Sequence, residues 1–69
     1  MKKEKIVNRV QEMRMRKGAT QEEMAKTLKI SRQTVIAIEK GNYTPSVCLA
    51  LQIAKYFKAQ VERVFKICS

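Results

Sequence analysis

The 69-residue sequence predicts an all-α fold, a compact bundle of five short helices. Three observations predict it. Apolar residues recur at three- and four-residue intervals along most of the chain. Only Gly18, Gly41 and Pro45 interrupt it as strong breakers. Thr20, Ser31 and Ser46 (or Thr44) stand where helices would begin, and their side-chain oxygens suit that position. Short helical pieces joined by short loops pack as a bundle.

Val7, Val10, Met13 and Lys17 lie on a helical spacing, so residues 8–17 predict the first helix, ended by Gly18 as a left-handed C-terminal residue. Thr20-Gln21-Glu22-Glu23 is a capping box. The helix it opens, over about 21–27, buries Met24, Ala25 and Leu28. Ser31 caps a third helix over about 32–39, with Val35 and Ile38 on one face and Gly41 as its stop. Two short helices joined by a few residues have the length pattern of a helix-turn-helix.

Thr44-Pro45-Ser46 opens a fourth helix. Val47–Phe57 is apolar nearly all round, with Gln52 and Lys55 as its strongly polar members, which predicts burial on more than one side. Val61, Val64 and Phe65 predict a last turn or two over 60–65, with Gln60 a poor cap. The termini admit a second reading. Lys5-Ile6-Val7 and Phe65-Lys66-Ile67-Cys68 alternate well enough for two short strands, which would add a terminal β-ribbon.

Composition narrows the function. Fifteen Lys and Arg face six Glu, with no Asp, no His and no Trp, for a net charge of +9. A Ser-His-Asp triad, a histidine base and an Asp-rich calcium loop are excluded, and scattered Glu residues make paired-carboxylate chemistry a poor prospect. We therefore expect no enzyme and no cofactor. Cys48 and Cys68 form no C-x-x-C and have no His to join them on zinc, so no metal site is expected. Cys48 reads as a small core residue; Cys68, beside the C-terminus, as exposed. Two cysteines without a signal-peptide pattern read as reduced thiols in a cytoplasmic protein. No stretch is apolar enough for a membrane span.

The charge points to a polyanionic partner, nucleic acid first. It is concentrated in residues 1–17, where Lys2, Lys3, Lys5, Arg9, Arg14, Arg16 and Lys17 face only Glu4 and Glu12. That cluster reads equally well as a solvated face or as a phosphate contact. Met13, Met15 and Val10 are weak anchors for a membrane surface.

One constellation is far more specific. Gln21-Glu22-Glu23-Met24-Ala25, Leu28-Lys29-Ile30-Ser31-Arg32-Gln33-Thr34-Val35 and Ile38-Glu39-Lys40-Gly41 resemble the helix-turn-helix of the phage-repressor and Cro (XRE-like) family. The resemblance continues through Asn42-Tyr43-Thr44-Pro45-Ser46 and Leu49–Ala54 to Val61, Glu62 and Phe65. It implies a lambda-repressor-like domain over 1–69, with core 8–65, helix-turn-helix 21–40 and dimerisation region about 47–68. It is most similar to minimal single-domain dimeric repressors that carry a small terminal ribbon.

The residues support that function in their own right. Arg32, Gln33 and Thr34 occupy the first turn of the third helix and avoid the positions of Val35 and Ile38. A helix fits the major groove and its N-terminal residues meet base edges first; Arg suits guanine and Gln suits adenine. Ala37, one turn on from Gln33, could meet a thymine methyl or merely favour helix. Ser31 is first a cap. The resemblance implies that Gln21 clamps a phosphate at a helix N-terminus and that Lys40, Asn42 and Tyr43 touch the backbone. Each also has a plainer reading: Gln21 as a first-turn residue, Thr34 as filler, Tyr43 as packing.

Two positions depart from the family. Lys29 stands where Gly is usual in the turn, at a strain of roughly 1–2 kcal/mol if the turn is left-handed. Ile36 stands where a polar residue is common. After the core face of the fourth helix is used, Val47, Leu51, Val61, Val64, Phe65 and Ile67 are too many for so small a core, which predicts a two-fold interface. The expected function is a sequence-specific DNA-binding transcriptional regulator, a repressor acting as a homodimer on an inverted repeat of double-stranded DNA, with no membrane or small-molecule ligand. The alternative is a basic protein-interaction module, antitoxin-like or an anti-repressor, on the same scaffold.

Overall fold

The computed structural model describes residues 5–68. Its elements are β1 (Lys5–Asn8), α1 (Val10–Lys17), α2 (Gln21–Leu28), α3 (Arg32–Glu39), α4 (Val47–Tyr56), α5 (Val61–Val64) and β2 (Phe65–Cys68). The two strands pair antiparallel, with Ile6 opposite Ile67 and Asn8 opposite Phe65. The architecture is all-α with a small terminal ribbon, so the strand reading of the termini holds. Lys2, Lys3 and Glu4 lie outside the described residues, as does the side chain of Cys68.

The caps follow the sequence closely. Thr20 Oγ1 accepts the Glu23 amide at 3.0 Å, and Glu23 Oε1 accepts the Thr20 amide at 2.8 Å. Ser31 and Ser46 cap α3 and α4 through the amides of Thr34 and Leu49. Gly18 closes α1 with φ 80°, a value that L side chains rarely adopt. Gln60 makes no side-chain cap, and α5 is a single turn. The first helix starts later than expected. Asn8 belongs to β1, and its side chain, rather than its backbone, serves α1.

The core is Val10, Met24, Ala25, Val35, Ile38, Leu49, Ile53, Ala54 and Val64, contributed by all five helices. Ala25 is buried in this core on α2, which packs on α3, and a larger side chain there would overfill the core. The fourth helix corrects two expectations. It buries one face only, through Leu49, Ile53 and Ala54. Cys48 falls on the opposite side and is exposed rather than a core residue. Periodicity explains why: Cys48 and Leu51 sit about half a turn from the Leu49–Ile53 stripe.

Val47 is 77% and Leu51 54% exposed, and on the ribbon Ile67 is 66% exposed. Val64, by contrast, is fully buried, while Val61 and Phe65 pack partly buried against the core. So half of the apolar surplus named from the sequence belongs to the monomer after all. Among the described residues, no helix is long and apolar enough to cross a membrane.

Candidate nucleic-acid interface

The site is built on α3 and on what holds it. Val35 and Ile38 turn into the core and fix its inner face. Gln33, Ile36, Ala37 and Lys40 therefore share the outer face, at i, i+3, i+4 and i+7. Arg32 and Gln33 are exposed in the first turn, directly after the Ser31 cap. Ile36 and Ala37 are half-buried in the middle of that face; Lys40 is exposed at its end. Asn42 and Tyr43 are exposed in the loop beyond.

Three of the expected residues are already engaged. Thr34 is half-buried, and its hydroxyl lies 2.8 Å from that of Ser31, so the two polar groups of this turn satisfy one another. Gln21, at the start of α2, is half-buried and donates from Nε2 to Glu39 Oε1 at 3.0 Å. Its amide links α2 to the end of α3 instead of standing free at a helix N-terminus. A shallow groove beside it is lined by Arg14, Thr20, Gln21, Lys26 and Arg32 among others.

The residue that organises this end was not singled out from the sequence. Glu39 receives Arg14 Nε at 2.6 Å and Nη2 at 3.4 Å, and Arg14 Nη1 donates to the Ala19 carbonyl at 2.9 Å. Arg14 therefore leaves the N-terminal cluster, where it read as solvated or phosphate-binding, and becomes an internal strut. Twenty-five residues separate the partners, so no local pattern reveals the pair. The rest of that cluster divides as well. Arg9 and Arg16 flank the exposed Glu12, at 2.8 and 3.4 Å, and the Arg9 guanidinium holds the Glu12 carboxyl below its ordinary range. Lys17 Nζ sits 4.9 Å from the centre of the Tyr56 ring.

Lys29 takes φ 59° at the end of α2, so the left-handed turn is kept without glycine. The turn leaves Lys29 exposed, three residues before Arg32. Among the described residues no cluster of His, Cys, Asp and Glu could hold a metal ion. The first turn and outer face of α3 thus offer a guanidinium, a carboxamide, two half-buried apolar side chains and an ammonium. Glu39, the acidic residue of the helix, is turned inward and neutralised by Arg14. That combination can hydrogen-bond base edges and attract phosphate.

Comparison with known proteins bears on the family. The helix-turn-helix family model matches residues 10–68. The chain is 52% identical over 58 residues to a Bacillus subtilis protein named the uncharacterized HTH-type transcriptional regulator YgzD, covering 84% of this chain and 88% of that one. A similarly named regulator of Methanocaldococcus jannaschii is 50% identical over 58 residues, with the same coverage. One of Archaeoglobus fulgidus is 46% identical over 57 residues, covering 83% of this chain and 81% of its own.

Proposed function

The chain belongs to the XRE-like helix-turn-helix family, and on that premise we propose that it is a transcriptional repressor that binds an inverted-repeat operator as a homodimer. The observation that carries the DNA reading is the outer face of α3. Arg32 and Gln33 stand exposed in its first turn, and its acid is withdrawn into an internal ion pair. In this reading Arg32 and Gln33 enter the major groove and read base edges, with Ala37 against a thymine methyl. Lys40, Asn42 and Tyr43 hold phosphate or sugar, and Ser31, Thr34 and Gln21 line the docking face while keeping their internal bonds. The chain acts without catalysis: by covering a promoter it excludes polymerase.

A single eight-residue helix reaches few base pairs, so the reading requires two copies. Val47 and Leu51 on α4 and Ile6, Val7 and Ile67 on the ribbon are exposed apolar residues that would supply a two-fold interface, and the ribbon presents unpaired strand edges. Burying them against their own symmetry mates spares the monomer an apolar surface.

Selection of bound duplexes from a random pool, at stated salt, tests the proposal. An inverted repeat with half-sites about one helical turn apart supports it. Recovery of duplexes with no common sequence overturns specific reading, and a lone half-site overturns the two-fold part.

A further inference from the structure

Asn8 ends β1 at the root of the ribbon and is half-buried. Both ends of its carboxamide are used. Oδ1 accepts the amide of Val10, the first residue of α1, at 3.0 Å, in a turn that leads the ribbon into the helix. Nδ2 donates to the Ile38 carbonyl at 2.8 Å, across a separation of 30 residues. Ile38 lies in the last turn of α3, where carbonyls lack helical partners, and the same oxygen also accepts the Gly41 amide at 3.0 Å. Among the described residues, no other side chain of the ribbon hydrogen-bonds α3. We infer that Asn8 is a positioning residue for DNA reading, locking the recognition helix to the ribbon so that the spacing of two half-sites is sharply defined. The inference rests on the two-fold reading above.

The chemistry selects asparagine. Asn, Asp and Ser can all accept the amide two residues on through a side-chain oxygen. Asp has no donor when ionised, and the Ser hydroxyl is shorter; Asn carries a donor and an acceptor on one planar group. The mechanics give the bond its leverage. From Ile38 back to Arg32 the helix runs about 9 Å at 1.5 Å per residue, so a pivot of about 10° at Ile38 moves Arg32 by about 1.6 Å. Base-edge hydrogen bonds tolerate far less than that. The Arg14–Glu39 pair holds the same helix to α1; among the described residues, Asn8 supplies the side-chain hydrogen bond that ties it to the element that the proposed partner copy would meet.

The test uses the full chain and two variants, Asn8→Asp and Asn8→Ser, both of which keep an acceptor for the Val10 amide. Binding is measured at fixed salt to the selected inverted repeat, to repeats lengthened or shortened by one and two base pairs, and to a single half-site. Urea unfolding is followed alongside. The parent should prefer one spacing by roughly tenfold or more over its neighbours. Asn8→Asp should reduce that preference below about threefold while single half-site affinity stays within about twofold. If the Asp variant fails to fold, Asn8→Ser carries the measurement. Variants that keep the parental preference, or that lose half-site and repeat affinity by the same factor, overturn the role. A parent with no spacing preference overturns the two-fold reading itself, and the role with it.

Discussion

Arg14 and Glu39 meet at 2.6 Å with side chains only 11% and 4% exposed, joining the first helix to the end of the third. The pair is desolvated yet fully satisfied. Glu39 takes three donors from two residues, and Arg14 places its remaining edge on the Ala19 carbonyl. Removing one partner leaves a buried charge, so Glu39→Ala or Arg14→Ala is expected to cost about 3–5 kcal/mol in urea unfolding. Replacing both by apolar residues of similar volume, Arg14→Met with Glu39→Leu, should recover most of that loss, because the desolvation cost disappears with the pair. A double variant no more stable than the singles would show that the pair itself drives folding.

Lys29 and Lys58 are, among the described residues, the non-glycine positions with positive φ, at 59° and 54°. Lys29→Gly relieves the left-handed strain and should stabilise the chain by about 1 kcal/mol. For a domain this small that is a rise in Tm of about 4–8 °C by calorimetry. Lys58→Gly should give a similar gain. If Lys29 also attracts phosphate, its variant alone loses DNA affinity.

Arg32→Ala should cost about 1–3 kcal/mol at the specific site and relax selection at the base it meets. Lys40→Ala should instead weaken specific and random duplexes alike and flatten the salt dependence of binding. Titrations of both DNAs at several salt concentrations separate these patterns. Interchanged behaviour of the two variants would reverse the assigned docking.

Leu51→Glu places a charge on the exposed side of α4, away from the core stripe. Stability of the monomer should change by no more than about 0.5 kcal/mol. Sedimentation at tens of micromolar is expected to show the parent as a dimer and the variant as a monomer. A parent that sediments as a monomer removes the proposed interface.

Burial raises the Tyr56 hydroxyl above its ordinary value of 10.0. The unfolded chain then loses this proton before the folded one does. Stability from this group is present at neutral pH and falls as pH rises from about 10 through the raised value. Tyr56→Phe should shed this part of the alkaline dependence, measured as urea midpoints between about pH 9 and 11. Unchanged slopes would place the hydroxyl in water.

Much of the fold was legible because its signals are local. Thr20 with Glu23, Ser31 and Ser46 mark helix starts through bonds spanning three residues, and Val35 with Ile38 define a face by periodicity alone. Cys48 was misread because the segment around it is apolar on nearly every side. Without a stripe to follow, the sequence does not say which third of α4 meets the core. Gln21 shows the same limit at the site. Its place at a helix start is local, but its engagement with Glu39 depends on where α3 ends in space.

By itself, then, the sequence determined the helix-turn-helix, its caps, and the exposed Arg32 and Gln33, since each depends on hydrogen bonds or repeats within one turn of helix. Only the tertiary structure decided how that helix is held. Arg14 to Glu39 and Asn8 to Ile38 span 25 and 30 residues, and each needs two elements in register before its distance falls to hydrogen-bond length. The same packing sent Val64 inward and left Val47 and Leu51 outside. A small core can enclose only the apolar groups that its helices turn toward one another.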